Sequence, residues 1–268
     1  MKVYGLFGIK NENQLPEIFN HFPDLQTNKN AKIYKHRILV LKESTLYQQM
    51  KDFLDSSKIS YIYNEQADFE PKEYRNAELL SCVGSQINDW GYEYDTRYEI
   101  LSGCDDRDCP SIEKQVSPVH LDTRKFGNHD FKMLLSREFI ISKRFRDLIE
   151  TQGLTGCDFA PVMHRKTNQA SPDIFQLIVT NVLPDIAPEF KRENIQCDKC
   201  GTQVLIRRDW LYSYHKSALK NIMDFNLTKE YFSVTYPYRV LIISQKVYQL
   251  IKEYKIKGPV YVPVRLIE

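Results

Sequence analysis

Residues 139–162 read FIISKRFRDLIETQGLTGCDFAPV, and residues 241–264 read LIISQKVYQLIKEYKIKGPVYVPV. The two stretches align without gaps, and average residue usage would give only about one or two matches between unrelated sequences of this length. Eight of the 24 positions are identical: Ile140/Ile242, Ile141/Ile243, Ser142/Ser244, Leu148/Leu250, Ile149/Ile251, Gly156/Gly258, Pro161/Pro263 and Val162/Val264. The chain therefore contains an internal repeat.

Each copy of the repeat predicts a strand, a helix and a second strand. Ser142 and Ser244 follow short apolar runs, where a serine hydroxyl can accept a hydrogen bond from the first turn of a helix. Gly156 and Gly258 stand where the chain must turn back, which predicts a positive φ. The two helices carry apolar residues on one face, namely Phe145, Leu148 and Ile149 in the first copy and Val247, Leu250, Ile251 and Tyr254 in the second. Two such units can pack as pseudo-symmetric halves.

The first third of the chain predicts a smaller module of the same kind. Apolar strands are expected over Val3–Ile9, Ile38–Leu41 and Tyr61–Tyr63, and a helix over Leu15–Phe22. A second, amphipathic helix is indicated by apolar residues at helical spacing, namely Leu46, Met50, Phe53 and Leu54. Residues 37–63 follow the strand–helix–strand order of the repeat, but they share too few identities with it to predict a third copy.

Residues 64–75, NEQADFEPKEYR, are polar and contain a proline, so they predict a linker or a long loop. We therefore expect an N-terminal α/β module over residues 1–75 and a two-repeat domain over residues 76–268. Two further strands are predicted around Glu78–Val83 and Tyr92–Leu101. The fold class is α/β (α+β), with duplicated strand–helix–strand units, a cysteine-knuckle insert and the smaller N-terminal module.

The composition favours a packed intracellular protein. Of 268 residues, 42% are hydrophobic and 12% aromatic, which excludes global disorder. The N-terminal residues MKVYGLFGIKNENQLPEIF lack the long apolar middle of a signal peptide, and no stretch approaches the roughly 18 apolar residues that span a bilayer. We expect a cytoplasmic location and no membrane partner, so the six cysteines should remain thiols or bind metal.

Cys197-Asp-Lys-Cys200-Gly201 has the CxxCG spacing of a zinc knuckle, a tight turn whose backbone N–H groups point at the two thiolates. A redox CxxC would normally begin a helix, whereas residues 202–206 read as a strand. This context favours metal, with an inert reduced pair and redox chemistry as alternatives.

A structural zinc site needs four ligands, and Cys104 and Cys109 in GCDDRDCP are the natural partners of Cys197 and Cys200. Zn²⁺ held by these four cysteines would join the middle of the chain to the segment between the repeats, and its binding would contribute folding energy. Such a site has no open position and is not catalytic. The aspartates in the C-x4-C loop would add negative charge, donate an oxygen ligand or mark an exposed loop; they are Asp105, Asp106 and Asp108.

Charge is unevenly distributed although the net charge is only +2. Residues 65–113 carry 13 acidic and four basic residues, whereas the remainder carries 22 acidic and 33 basic ones. The pattern indicates either two solvated faces of opposite sign or an acidic surface that attracts a basic partner.

The order of these motifs resembles that of the double-CXXCG motif proteins, a myxobacterial-type family in which some members are immunity proteins for toxins delivered by cell contact. The likeness covers about residues 100–268 and rests on IISKRFRDLIETQGLTG, DIFQLIV, CDKCG at 197–201 and IISQKVYQLIKEYKIKG. The family's first CxxCG is replaced here by Cys104-x4-Cys109 without a following glycine. The resemblance implies an immunity protein that neutralises a cognate secreted polymorphic toxin in the cytoplasm, with the acidic segment 65–113 as a candidate contact surface.

Two other function classes compete with this one. A zinc-knuckle nucleic-acid-binding protein is suggested by basic and aromatic residues near the CxxCG, namely Lys191, Lys199, Arg207, Arg208, Trp210, Tyr212 and Tyr214. The near-neutral total charge argues against nucleic acid as a partner. The other class is an enzyme, but the sequence lacks G-x-S-x-G, P-loop, HExxH and GxGxxG motifs, and we expect no enzyme activity.

Overall fold

The computed structural model describes residues 1–87, 95–106, 108–208 and 211–268. The chain divides into two compact units, Met1–Glu73 and Tyr74–Glu268. Helices account for 21% and strands for 40% of the structure. This mixed content confirms the α/β (α+β) class.

The first unit is an antiparallel sheet in the order β2–β3–β1–β4. Its core joins Phe7 and Ile38 of the sheet to Met50 and Leu54 of the second helix. The elements are β1 (Lys2–Ile9), α1 (Leu15–His21), β2 (Ala31–Tyr34), β3 (Arg37–Leu41), α2 (Thr45–Ser56) and β4 (Tyr61–Asp68), followed by α3 (Pro71–Asn76).

The linker predicted over residues 64–75 is wrong, because residues 64–68 continue strand β4 and α3 follows. Strand β4 pairs with β1 along its whole length, from Ile9↔Tyr61 to Lys2↔Asp68. Backbone pairing does not require apolar side chains, and two of the polar ones form ion pairs with neighbouring lysines. These pairs are Lys42–Glu65 and Lys32–Asp68, each at 2.5 Å.

The second unit contains a sheet of ten described strands in the order β13–β17–β18–β5–β9–β10–β12–β11–β8, with β19 also paired to β5. The remaining strands form the two-stranded sheets β6–β7, β14–β15 and β16–β20. The strands are β5 (Leu79–Ile87), β6 (Tyr98–Ser102), β7 (Ile112–Gln115), β8 (Val119–Leu121), β9 (Phe131–Leu134), β10 (Phe139–Ser142), β11 (Cys157–His164), β12 (Ala170–Val179), β13 (Asn181–Val182), β14 (Arg192–Gln196), β15 (Gln203–Arg207), β16 (Ser213–His215), β17 (Phe225–Leu227), β18 (Leu241–Ser244), β19 (Pro259–Pro263) and β20 (Arg265–Ile267). The helices of this unit are α4 (Lys143–Thr151) and α5 (Gln245–Glu253). Of the strand predicted over Tyr92–Leu101, residues 92–94 lie outside the described residues, and β6 begins at Tyr98.

The two repeats fold into the same elements, β10–α4–β11 and β18–α5–β19. Both predicted N-caps are confirmed: Ser142 accepts a hydrogen bond from the N–H of Phe145, and Ser244 accepts one from Val247. Both predicted turns are confirmed as well, with φ of 89° at Gly156 and 114° at Gly258.

In each repeat the two strands lie on either side of a third, antiparallel strand, and the register is the same. The aligned rows are Ile141–Phe175–Pro161 across β10, β12 and β11, and Ile243–Leu80–Pro263 across β18, β5 and β19. In the first repeat the central strand, β12, follows in sequence. In the second repeat it is β5, which precedes both copies. The second repeat is therefore completed by a strand from far upstream in the chain.

Residues 37–63 adopt this arrangement too, although few identities indicated it. Strands β3 and β4 flank β1, both antiparallel to it, and Ser44 caps α2 by accepting a hydrogen bond from the N–H of Tyr47. Strand β2 runs antiparallel to β3, as β9 does to β10 and β17 to β18. The same local topology therefore occurs three times in the chain.

An aspartate just before β9 and another just before β17 hold the capping serines. The hydroxyl of Ser142 donates to Oδ1 of Asp130 at 2.9 Å, and that of Ser244 donates to Oδ1 of Asp224 at 2.7 Å. Each serine therefore both accepts a bond from its helix and donates one to a strand end. The start of each helix is fixed to the preceding strand of the same repeat.

The second oxygen of each aspartate binds the other repeat. Oδ2 of Asp130 accepts the N–H of Lys257 at 3.0 Å, and Oδ2 of Asp224 accepts the N–H of Thr155 at 2.9 Å. Thr155 and Lys257 occupy aligned positions of the repeat. The contact is therefore reciprocal, like the isologous interface of a two-fold symmetric dimer, within a single chain.

The glycines next to these N–H groups allow the approach. A Cβ at Gly258 would lie 1.9 Å from the carbonyl oxygen of Phe131, and one at Gly156 would lie 2.2 Å from that of Phe225. Either distance is far inside van der Waals contact. Only glycine fits where each repeat meets the other.

We expect Gly258→Ala to destabilise the protein by about 3–5 kcal/mol, because the new methyl group meets backbone and the φ of 114° is unfavourable for alanine. Gly153→Ala is the matched control, since Gly153 has a φ of 58° and a Cβ added there would meet no atom within 4 Å. It should cost about 1 kcal/mol. Urea denaturation followed by circular dichroism measures both, and equal losses would contradict the reciprocal contact.

Candidate metal centre

Two hairpins present the four cysteines predicted as ligands. The loop between β6 and β7 carries Cys104 and Cys109, and the turn between β14 and β15 carries Cys197 and Cys200. Both hairpins are two-stranded sheets outside the ten-stranded one. Because isolated two-stranded hairpins are only marginally stable, contacts between their loops are expected to stabilise both hairpins.

The four sulfur atoms lie within 4.8 Å of one another. The Sγ–Sγ distances are 3.7 Å for Cys104–Cys197 and 3.4 Å for Cys109–Cys200. Tetrahedral zinc with Zn–S bonds of about 2.3 Å separates its sulfurs by about 3.8 Å, whereas a disulfide needs about 2.05 Å. The cysteines are free thiols arranged at the spacing of a metal site.

The CxxCG segment forms the tight turn that its sequence predicts. The N–H of Gly201 donates to the carbonyl of Cys197 at 2.9 Å, and the N–H of Cys197 donates to that of Thr202 at 2.9 Å. Gly201 takes a φ of 74°. This conformation brings Cys200 back towards Cys197 and onto the facing loop.

The thiols differ in acidity. Hydrogen bonds from the hydroxyl and backbone N–H of Thr202 lower the pKa of Cys200 to about 6. Desolvation, followed by the hydrogen bond with Cys200, raises the pKa of Cys109 to about 12. Four sulfurs this close cannot all ionise without a cation between them, because neighbouring thiolates repel. A bound divalent metal would supply that charge, and the donor set fits one.

Of the three loop aspartates, Asp106 forms an ion pair next to the cysteine cluster, and none of the three belongs to the group that could hold the metal. The carboxylate of Asp106 lies 2.6 Å from Nζ of Lys199 and also accepts the N–H of Asp108 at 3.1 Å. The bond from Lys199 lowers the pKa of Asp106. Among the described residues, the group that could hold a metal consists of the four cysteines and excludes Asp105, Asp106 and Asp108.

Two contacts beside the cysteines were missed by sequence reasoning. One is the Lys199–Asp106 ion pair, and the other joins the hydroxyls of Ser102 and Thr202 at 2.6 Å. The ion pair could have been predicted from the sequence, because an acidic residue lies between Cys104 and Cys109 and a basic residue lies between Cys197 and Cys200. Both contacts link one hairpin to the other beside the four cysteines.

The remaining cysteines are poor candidates for chemistry. Cys82 is buried and Cys157 half-buried, and desolvation raises the pKa of each thiol to about 12. Neither belongs to the four-cysteine group. Both behave as packing residues.

Among the described residues, the aromatic side chains near the CxxCG are buried and form no exposed stacking platform. Tyr212 and Tyr214 are 5% and 0% exposed and belong to the core. Arg208 pairs with Glu193, and the guanidinium of Arg207 lies over the ring of Tyr212 at 5.4 Å. Trp210 lies outside the described residues.

The structure also bears on the membrane expectation. Within the described part of the chain, no helix combines the length and the apolar character needed to cross a bilayer.

We expect purified protein to contain about one zinc per chain, because the four ligands complete a tetrahedral set. Chelation or Cys109→Ser should remove the zinc and lower the free energy of unfolding by about 4 kcal/mol. This is the effect expected when a cross-link closes a loop of this length, since Cys104 and Cys197 are 93 positions apart in the sequence and Cys109 and Cys200 are 91 apart. Cys157→Ser is the matched control and should retain the metal. Elemental analysis and urea denaturation measure both, and native folding with less than about one-tenth zinc per chain contradicts the site.

No family model matches the chain, and no curated protein shows significant similarity to it. The chemistry of the metal centre therefore rests on the positions of the four sulfur atoms, and the likeness to double-CXXCG proteins rests on the motifs quoted above.

Proposed function

We propose that this chain is a cytoplasmic immunity protein that binds one cognate secreted polymorphic toxin and neutralises it by protein–protein contact. The observation that carries the proposal is the closed four-cysteine cluster. It uses all four cysteines to join the loops of two hairpins, and a metal held by four cysteines would have no position open for a substrate. The motif order shared with double-CXXCG proteins supports the same reading.

Zinc is the metal that we propose for the cluster. A set of four thiolates favours Zn²⁺ or an iron–sulfur cluster. The Cys109–Cys200 and Cys104–Cys197 sulfur distances, 3.4 and 3.7 Å, are close to the edge of a tetrahedron around a single ion of zinc's size. The role of the zinc is structural, since it holds the hairpin loops at fixed positions.

A partner with a basic surface is supported by acidic side chains that form no ion pair among the described residues. At the start of the acidic segment 65–113, several acids are engaged within the first unit: Glu65 with Lys42, Asp68 with Lys32, Glu70 with Lys72, and Glu73 with the amino terminus. The β6–β7 hairpin carries acids for which the described residues provide no ion pair, namely Glu99, Asp105, Asp108 and Glu113. The acidic surface offered to a partner is therefore narrower than the segment and centres on this hairpin.

The test is co-expression with a candidate toxin, chosen as a large secreted protein encoded next to this gene. We expect cells that carry both proteins to survive and the two to purify as a complex, because neutralisation by contact requires both. Toxin-induced death in the presence of abundant soluble chain would overturn the proposal. Retention of the chain on a DNA or RNA column with a steep salt dependence, and no toxin complex, would favour a zinc-knuckle nucleic-acid-binding protein.

A further inference from the structure

The β6–β7 hairpin exposes two adjacent apolar residues at a β-bulge. Pairing runs from Ile100↔Glu113 to Ser102↔Ile112, so Leu101 is the extra residue. Ile100 is 64% exposed and Leu101 is 57% exposed. Single exposed apolar residues are ordinary on a protein surface, but adjacent ones presented by a bulge indicate a contact surface.

The hairpin is fixed at both ends. At its base the hydroxyl of Tyr98 donates to Glu138 at 2.8 Å, and the side-chain amides of Gln115 and Gln176 exchange hydrogen bonds of 2.6 and 3.0 Å. At its tip the four-cysteine cluster holds the loop. Because the apolar centre lies between two anchors, little conformational entropy remains to be lost when it binds a partner.

Two acidic residues flank this apolar centre in the hairpin: Glu99 precedes Ile100, and Glu113 is the pairing partner of Ile100. Beside the bulge lies a cleft of about 300 Å³, lined by Tyr98, Glu113, Glu138 and Arg137 among others. The guanidinium of Arg137 lies over the ring of Tyr238 at 4.4 Å. Burial raises the pKa of Glu138, and desolvation raises that of Glu113. A cation entering the cleft would favour the charged form of both carboxylates.

We infer that the bulged β6–β7 hairpin is the docking surface for a basic protein segment, with apolar side chains packed on Ile100 and Leu101 and a Lys or Arg side chain in the cleft beside Glu113. This inference rests on the proposed function, because it assigns the surface that meets the toxin. Charge selects the occupant. A second copy of this chain would place the same acids against each other in a two-fold contact, and a nucleic acid or an acidic membrane would be repelled.

The probe is the tetrapeptide acetyl-RLLR-amide, titrated into the full-length zinc-loaded chain and followed by NMR. We expect the amide resonances of Glu99, Ile100, Leu101 and Glu113 to shift. The acidic peptide acetyl-ELLE-amide should leave them in place. Joint substitution of Ile100→Ser and Leu101→Ser should weaken binding of the basic peptide about tenfold, through loss of apolar contact. Glu113→Gln should weaken it about threefold to fivefold.

Two variants control for exposure and charge elsewhere in the chain. Ile62→Ser removes a strand isoleucine that is 54% exposed, and Glu43→Gln neutralises an exposed acid; both should bind the basic peptide like the unmodified chain. The proposed docking surface would be overturned if the peptide left the hairpin resonances unshifted, or if the control variants lost as much peptide affinity as the hairpin variants. Sedimentation showing a dimer that the Ile100/Leu101 variant dissociates would also overturn it, because the occupant would then be a second copy.

The peptide titration and the co-expression test separate the two proposals. If the peptide shifts the hairpin resonances but the chain does not protect cells from the toxin, the docking surface is supported and the immunity function is contradicted. If the Ile100/Leu101 and Glu113 variants still protect cells and form an equally stable complex, the immunity function is supported and the docking surface is contradicted.

Discussion

The fold of the larger unit depends on two carboxylates that each serve both repeats. Asp130, only 6% exposed, takes the hydroxyl of Ser142 with one oxygen and the N–H of Lys257 with the other; Asp224 does the same with its counterparts. A buried carboxylate left without these donors would cost several kcal/mol. Each serine also caps a helix. The start of the helix, the end of the strand and the contact between the repeats therefore form together. A single misplaced element would leave several polar groups unsatisfied.

A scaffold fixed in this way leaves the hairpins as additions to it. Neither β6–β7 nor β14–β15 joins the ten-stranded sheet, and the exposed residues of β6 show that hydrophobic burial does not organise the first of them. The four cysteines supply the missing constraint, together with the Lys199–Asp106 ion pair beside them. The sheet therefore depends on reciprocal hydrogen bonds and packing. The hairpins depend in addition on the four cysteines at their loops, alongside the hydrogen bonds at the base of β6–β7 and the core packing of Leu205 in β15.

Sequence predicted the features whose causes are local. The serine caps, the turn glycines and the metal-like cysteine spacing are read from a few neighbouring residues, and the repeat from an ungapped alignment. The aspartates were missed because Asp130-Phe131 and Asp224-Phe225 stand at different distances from their repeats, so an ungapped alignment does not reach them. Strand β5 was predicted, but not as the centre of the second repeat, because that pairing spans most of the unit. The end of β4 was wrongly predicted as part of a linker, because its residues are polar and backbone pairing with β1 holds them in the sheet without apolar side chains.

The separation of scaffold from hairpin bears on how such a protein acquires a partner. Ile100, Leu101 and Glu113 are exposed and belong to none of the core clusters, so substituting them changes the recognised surface at little cost to folding. Substituting Asp130 or Gly258 would instead disturb both repeats at once. Surface residues held between a four-cysteine tip and a hydrogen-bonded base can therefore vary widely while the backbone that presents them stays fixed. That combination suits a protein that must match one partner closely among many related ones, because specificity is a difference in affinity set by few side chains.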